Sequence, residues 1–534
     1  MTLTLTLHGA GRTVTGSCLE FRLGETRLLV DCGMFQGSRT LETLNRANGL
    51  ERPGEIAGVI LTHAHIDHSG LLPKLVKDGY RGPIHCTAET ADLLQFMLAD
   101  SGRIQEGEAE RAARRRDRRR EDMGEPLYTE ADGLAAWRAA RQVPLGEWFE
   151  PAPGFRARLW NAGHILGAVS VELEAGDVRV MCSGDIGPEN KAFHPDPQGP
   201  CCFDHVICES TYGDRVRERQ TLEERRGSLA VIINEARAKG GNLVIPAFAL
   251  ERTQELLLDI AMLSRAGKIG NAMVFVDSPL ANHATEVFAR HLDDLEDTQG
   301  TNPFEHPAIH YTTEVAESMR LNTISGAIII SASGMCEAGR IRHHLFHNLA
   351  RRDSTVLFVG FQAQGSLGRV ILDGAQRVRI SGRDVLVRAA IRRIDSYSAH
   401  ADQSELLAWI RARAPISGSL LLDHGESGSV DALAALAGKG PDAPVVRVPE
   451  IGEMWELAPG APAKRLRTGP PEAARAVGRD WQNAYADLAS SLKHRLEAIR
   501  DDAAREKAIA EMRKVLDSYE AFRAEKAARN GQGH

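Results

Sequence analysis

A short apolar run at 59–61 opens onto Thr62 and then His63-x-His65-x-Asp67-His68, closing on Ser69 and Gly70. Three imidazoles and a carboxylate within six positions are not a packing device. Buried unpaired, each would cost several kcal/mol, about 2–7 for an ordinary polar group. Neutral imidazole and carboxylate oxygen are the donors that Zn²⁺ takes, with Mn²⁺ also possible. Ligands this close on one strand-end loop can be divided between two ions about 3.5–4 Å apart, sharing a hydroxide. The rest of the ligand set must come from elsewhere, and three positions offer it. His164 follows a strand-like run and stands beside Gly163, where the backbone can approach closely. Asp185 ends the run 179–185, and His424 follows the run 418–423.

The pattern of elements changes along the chain. Up to about residue 200, strands such as 28–31, 59–62, 179–185 and 205–209 alternate with turns and a few helices, one at 91–99. Between about 210 and 390 the spacing predicts helices at 222–239 and 252–263. Strands are predicted there at 242–246, 272–277, 327–331 and 355–360, the signature of a parallel sheet covered on both faces. Short strands return after 391, so one domain is inserted into another. We place the boundaries at 1–208, 209–390, 391–462 and 463–534. In the last segment Trp481, Tyr485, Leu488, Leu492, Leu496 and Ile499, then Ile509, Met512, Leu516, Tyr519 and Phe522, recur at spacings of three and four. Two amphipathic helices follow from that, forming a core contact or a homodimer seam. The dense charge run at 111–120 reads as a solvated helix face or an RNA contact.

Composition narrows the partners. Hydrophobic residues at 43% and charged residues at 26% describe a chain with ample core. No apolar run is long enough for a bilayer, and the N-terminus lacks a signal peptide's basic start and apolar stretch. The eight cysteines are scattered, and Cys201–Cys202 has no paired C-x-x-C, so reduced thiols in a cytoplasmic protein are expected rather than a cysteine zinc site. A net charge of −7 gives no global pull on nucleic acid and leaves only a local basic groove.

His63, His65, Asp67 and His68 followed by His164, Asp185 and His424 resemble the metallo-β-lactamase superfamily, and the insertion narrows the likeness to its β-CASP branch of RNA-processing nucleases. The resemblance covers residues 1 to about 460 and stops before the tail. It implies an α/β fold: a four-layer αββα core, an inserted parallel-sheet α/β domain and a C-terminal helical extension. It implies that His63, His65, His164 and Asp185 hold one zinc, and that Asp67, His68, the shared Asp185 and His424 hold the other, with Asp31 supporting the metal loop from behind. Glu209, His400 and His424 match the three β-CASP motifs. A histidine at the third resembles the RNA-processing members rather than the DNA-repair ones. Ser331, Ser333, Gly334 and Met335 are similar to the family's phosphate-cradling loop. Arg252 falls in another family block, as a phosphate contact or an ion pair; its neighbour Glu251 stands where glycine is common.

The implied activity is hydrolysis of RNA phosphodiesters, endonucleolytic or 5′-exonucleolytic, by a hydroxide bridging two zinc ions. His400 would act as general acid, held by Glu209. The substrate would be single-stranded RNA in the cleft between core and insertion, with little base readout because aromatics are only 5%. A thioesterase- or lactamase-like hydrolase of small molecules uses the same metal loop but needs no covering domain. A non-catalytic RNA-binding scaffold would lack several of the ligands, and here all are present.

Overall fold

The computed structural model describes residues 2–47, 49–114, 125–218, 220–360, 362, 365–477, 492, 495–496 and 498–530. Two sheets stack face to face. The first runs, edge to edge, through Ala461–Arg467, Met454–Ala458, Leu3–Leu7, Leu19–Leu23, Thr26–Val30, Ile56–Ile60, Ile84–Cys86 and Ala140–Gln142. The second runs through Val445–Arg447, Ile416–Asp423, Phe203–Glu209, Val178–Cys182, Val169–Ala175, Phe155–Asn161 and Trp148–Ala152. Strand alternation produces the layering. Val180, Ile207 and Leu421 enter the apolar layer between the sheets with Phe21, Leu28 and Phe155. Their chain neighbours Met181, Val206, Leu420 and Leu422 point the other way, onto Leu406, Trp409, Val430 and Leu433 of the helices Gln403–Arg411 and Ser427–Ala437. On the opposite outer face Val59, Leu61 and Ile84 pack beneath Leu72, Leu75, Leu94 and Leu98. The result is the αββα sandwich.

The insertion is a six-stranded, wholly parallel sheet in the order Ile309–Tyr311, Val274–Val276, Ile328–Ser331, Leu243–Pro246, Thr355–Phe358, Ala390–Arg393. Helices Leu222–Ala238, Arg252–Arg265, Pro279–Arg290 and Ile341–Asn348 accompany it. The first begins on a capping box between Thr221 and Glu224. The expected boundary after 390 falls within its last strand, because Ala390 to Arg393 complete the ladder with Thr355 to Phe358. Likewise the strand Ala461–Arg467 crosses the expected boundary at 462.

The predicted helix at 91–99 is the start of a longer one, Ala88–Arg114. The rest of the charge run, 115–120, lies outside the described residues, as do Trp481, Tyr485 and Leu488 of the first tail helix. The described tail holds the helix Asp502–Asn530. No helix among the described residues is long and apolar enough to cross a membrane.

One buried ion pair in the first sheet gives a pH-dependent prediction. Glu20 receives Arg27 Nε at 2.7 Å and Nη2 at 3.1 Å, and His8 Nε2 at 2.8 Å. Burial alone would raise its carboxyl; His8 and Arg27 outweigh burial and lower it to about 2. A folded-state value below the unfolded one stabilises the fold at neutral pH, and the gain is lost as pH falls from about 4.5 toward 2. Glu20→Gln is therefore expected to be about 2 kcal/mol less stable at neutral pH, with the gap to wild type closing through that window. Denaturant midpoints at several pH values measure this, and a gap that stayed constant down to pH ~3 would contradict it.

Candidate metal centre

The functional side chains stand at or just beyond the carboxyl ends of the strands at one rim of the sandwich. Asp31 follows Thr26–Val30, Thr62 and His63 follow Ile56–Ile60, and His164 follows Phe155–Asn161. Asp185 follows Val178–Cys182, Glu209 ends Phe203–Glu209 and His424 follows Ile416–Asp423. Carboxyl ends of parallel strands are where α/β folds bind ligands. Two glycines let the loops meet: a Cβ on Gly33 would lie 1.6 Å from the Asp67 carbonyl oxygen, and one on Gly187 would lie 1.8 Å from that of Gly163.

The structure gathers all seven predicted ligands into two adjoining groups. In the first, His65 Nδ1 lies 3.1 Å from His63 Nε2 and 3.2 Å from His164 Nε2, and Asp185 Oδ2 is 3.6 Å from both Nε2 atoms. In the second, His68 Nε2 is 3.2 Å from His424 Nε2, and Asp67 Oδ2 is 3.7 Å from His424 Nε2. Asp185 Oδ1 faces that second group, 3.3 Å from His68 Nε2 and 3.4 Å from His424 Nδ1. One carboxylate thus presents an oxygen to each group.

Surrounding residues fix which imidazole nitrogen points inward. Asp31, in the left-handed region at φ 64°, accepts the Thr62 amide at 2.8 Å, the Thr62 hydroxyl at 2.9 Å and His68 Nδ1–H at 2.7 Å. Thr62 Oγ1 in turn accepts from His63 Nδ1–H at 3.0 Å, and the Ala399 carbonyl accepts from His164 Nδ1–H at 2.8 Å. With Nδ1 engaged on the outside, His63, His68 and His164 each turn Nε2 inward.

That arrangement fits divalent cations. The inward ring nitrogens converge to 3.1–3.2 Å. Tetrahedral Zn–N bonds of about 2.0–2.1 Å would place ligand nitrogens about 3.3 Å apart. Asp185 Oδ1 is buried and has no hydrogen-bond partner among the described residues. Burial holds His63, His65 and His164 below the usual histidine range, in the neutral form a metal requires. At His68 and His424 burial is outweighed by carboxylates, first of all Asp185; His68 rises well above its usual range and His424 to about 9. The charge drawing protons onto these two rings is the charge a cation would meet.

His400 stands against this cluster, its ring centroid 4.6 Å from that of His164. Its Nδ1 is 3.3 Å from Glu209 Oε1. Glu209 is buried and held at both oxygens, by the amides of Ile186 at 2.7 Å and Thr211 at 3.1 Å. Arg217 donates to the His400 carbonyl, and Asp402 caps the helix Gln403–Arg411 that follows. Tyr212, in the same string as Glu209, packs edge-on to His400 at 5.8 Å and carries Arg215 and Arg217 over its ring. Tyr212 is not among the residues expected from sequence, although an aromatic three residues beyond Glu209 is a visible signal. A cleft of about 750 Å³ adjoins, lined by Tyr212, Arg215, Arg217, Ser228 and Gly360 of the insertion and by Ser398 of the core.

The predicted phosphate loop ends a strand of the inserted sheet. Ser331 Oγ donates to the Asp277 carbonyl at 2.8 Å, Ser333 bonds with Ala338, and Gly334 is closed in by Phe248. Met335 accepts the Gly368 amide. Arg252 is 6% exposed, bonded to Glu255 Oε2 at 2.7 Å. Of its two expected roles the structure displays the ion pair, buried rather than at the surface.

A sandwich with two clustered ligand groups at one rim defines a metallo-hydrolase type of site, and comparison with known proteins agrees. Family models match for the metallo-beta-lactamase superfamily over residues 11–224, the Beta-Casp domain over 253–371 and the Zn-dependent metallo-hydrolase RNA specificity domain over 384–446. The chain is 34% identical over 437 residues to "Ribonuclease TTHA0252" of Thermus thermophilus, covering 80% of this chain and 94% of that one. It is 29% identical over 454 residues to "Transcription termination factor FttA" of Cenarchaeum symbiosum, covering 81% of this chain and 67% of the relative. A crystal structure of a protein of unknown function from Enterococcus faecalis shares the fold, with TM-score 0.52 and 15% identity over 86% of this chain and 100% of that chain. The chain belongs to the metallo-β-lactamase superfamily, in its β-CASP branch of RNA nucleases.

Proposed function

We propose that this protein hydrolyses phosphodiester bonds of single-stranded RNA, using two divalent cations, zinc or manganese. The observation that carries the reading is the Glu209–His400 pair at 3.3 Å, set against the His164 ring of a doubled ligand cluster. His63, His65, His164 and Asp185 would hold one cation, and Asp67, His68, Asp185 and His424 the other. Bound there, the cations would supply Lewis-acid stabilisation of the phosphoryl oxygens and activate the attacking water.

The chain's own residues do the rest. Glu209, fixed at both oxygens, orients His400 through Nδ1 and leaves Nε2 available to a substrate. With its side chain 21% exposed, His400 can reach a bound substrate and give a proton to the leaving oxygen. Arg215 and Arg217 beside Tyr212 offer charge and a stacking face to a single strand. Arg252, committed to Glu255, is left out of these contacts. Ser331, Ser333, Gly334 and Met335 remain a phosphate-binding proposal supported by the family likeness. The homodimer rests on the spacing of the tail's apolar residues, and a cytoplasmic setting on eight free cysteines.

The test is digestion of RNA labelled at either end, in 5′-phosphate and 5′-triphosphate forms, beside a thioester. Metal-dependent RNA cleavage with the thioester intact is expected. Internal fragments would identify endonucleolytic action and stepwise release from the 5′ end exonucleolytic action. Thioester turnover with intact RNA would favour a small-molecule hydrolase, and metal-loaded protein that binds RNA without cutting it would favour a scaffold.

A further inference from the structure

Glu251 adopts a conformation that side chains avoid, φ 72° and ψ −62°, immediately before the helix Arg252–Arg265. Such backbone persists where the surroundings hold it, and at this residue the side chain does the holding. Its carboxylate is 2% exposed and reaches out of the inserted domain into the core. Oε1 accepts Lys191 Nζ at 2.7 Å and His194 Nε2 at 2.7 Å, while Oε2 accepts the Leu166 amide at 3.2 Å. Lys191 Nζ also donates to the carbonyl oxygen of His164 itself. Both ends of the segment 164–166 are thereby attached to one carboxylate, the far end directly and the ligand end through Lys191.

The loop supplying Lys191 and His194 is seated in the inserted domain by independent contacts. Phe193 packs against Phe288 at 5.7 Å and Phe304 at 6.0 Å, and its carbonyl accepts the Glu296 amide at 2.9 Å. Burial would raise the Glu251 carboxyl, but His194 and Lys191 hold it well below the usual range, so it stays a carboxylate there. A buried ion pair needs its counter-charge and hydrogen bonds for the remaining lone pairs, which any nearby donors can supply. This one also bonds the main chain at a metal-ligand position and two residues beyond it.

We propose that Glu251 is a positioning residue that couples docking of the inserted domain to the placement of His164. The proposal rests on the metal-dependent reading above, and the link itself can be tested without cation or RNA. The full-length protein is compared with Glu251→Gly, which suits the backbone conformation and removes the carboxylate, and with Lys191→Met, which breaks the link from the other side.

In chelator-treated protein, hydrogen exchange of 164–166 is expected to quicken by about tenfold in Glu251→Gly. In zinc-loaded protein, release of one cation to a competing chelator should be about tenfold faster in each variant, with kcat lowered and KM near wild type. The double variant should be no worse than the poorer single one, because both remove the same link. Wild-type exchange at 164–166, or wild-type cation release and kcat with only the melting temperature lowered, would reduce Glu251 to a structural ion pair and overturn the proposal. Wild-type protein that leaves RNA intact would instead count against the nuclease reading, with the exchange result still deciding the link.

Discussion

His400→Ala is expected to keep both cations and lose turnover on RNA by about 10²–10⁴-fold, the usual contribution of a positioned general acid. The ring belongs to neither ligand group: its Nδ1 lies 3.3 Å from Glu209 Oε1 and 3.9 Å from Asp185 Oδ2, while the ligand nitrogens meet one another at 3.1–3.2 Å. Removing it leaves every predicted ligand in place and takes away only the group that would protonate the leaving oxygen. The loss should therefore shrink for a substrate whose leaving group is acidic enough to depart unprotonated, such as a nitrophenyl phosphodiester. Metal analysis beside kcat on both substrates measures this. A variant with unchanged RNA turnover, or an equal loss on both substrates with a cation missing, would remove the acid role.

Asp185→Asn is expected to have the second large effect, through metal rather than proton transfer. Asp185 is the only predicted ligand presenting an oxygen to both groups, Oδ2 toward His63 and His164 and Oδ1 toward His68 and His424. Asparagine keeps the shape but turns an NH₂ toward one of the two positions and removes the charge that offsets two cations. Fewer than two cations per chain and at least about a thousandfold loss of kcat are expected; in free energy that is about 4 kcal/mol. The two deficits should appear together across added metal concentrations. Retention of two tightly held cations and full activity would contradict the shared-ligand assignment.

Much of this site was legible because a metal site is written in residue types. His63, His65, Asp67 and His68 share one loop, and His164, Asp185 and His424 each follow a strand recognisable by its apolar run. The same runs located the inserted sheet, although its last strand, Ala390–Arg393, was missed because only its pairing with Thr355–Phe358 makes it part of that sheet. Arg252 stands in a sequence block that suggested an anion contact or an ion pair, and the structure displays the pair, with Glu255 one turn along the same helix.

By itself the sequence determined the donor chemistry, the strand ends that carry it and the insertion of a parallel-sheet domain into another domain. Those follow from periodicity and from side-chain type, which are local properties. Only the tertiary structure decided which nitrogen each ring turns inward and that Glu251 reaches Lys191 and the His164 segment. The Glu251 contacts join residues 60 and 85 positions apart and are set by how two domains pack, which no local pattern encodes.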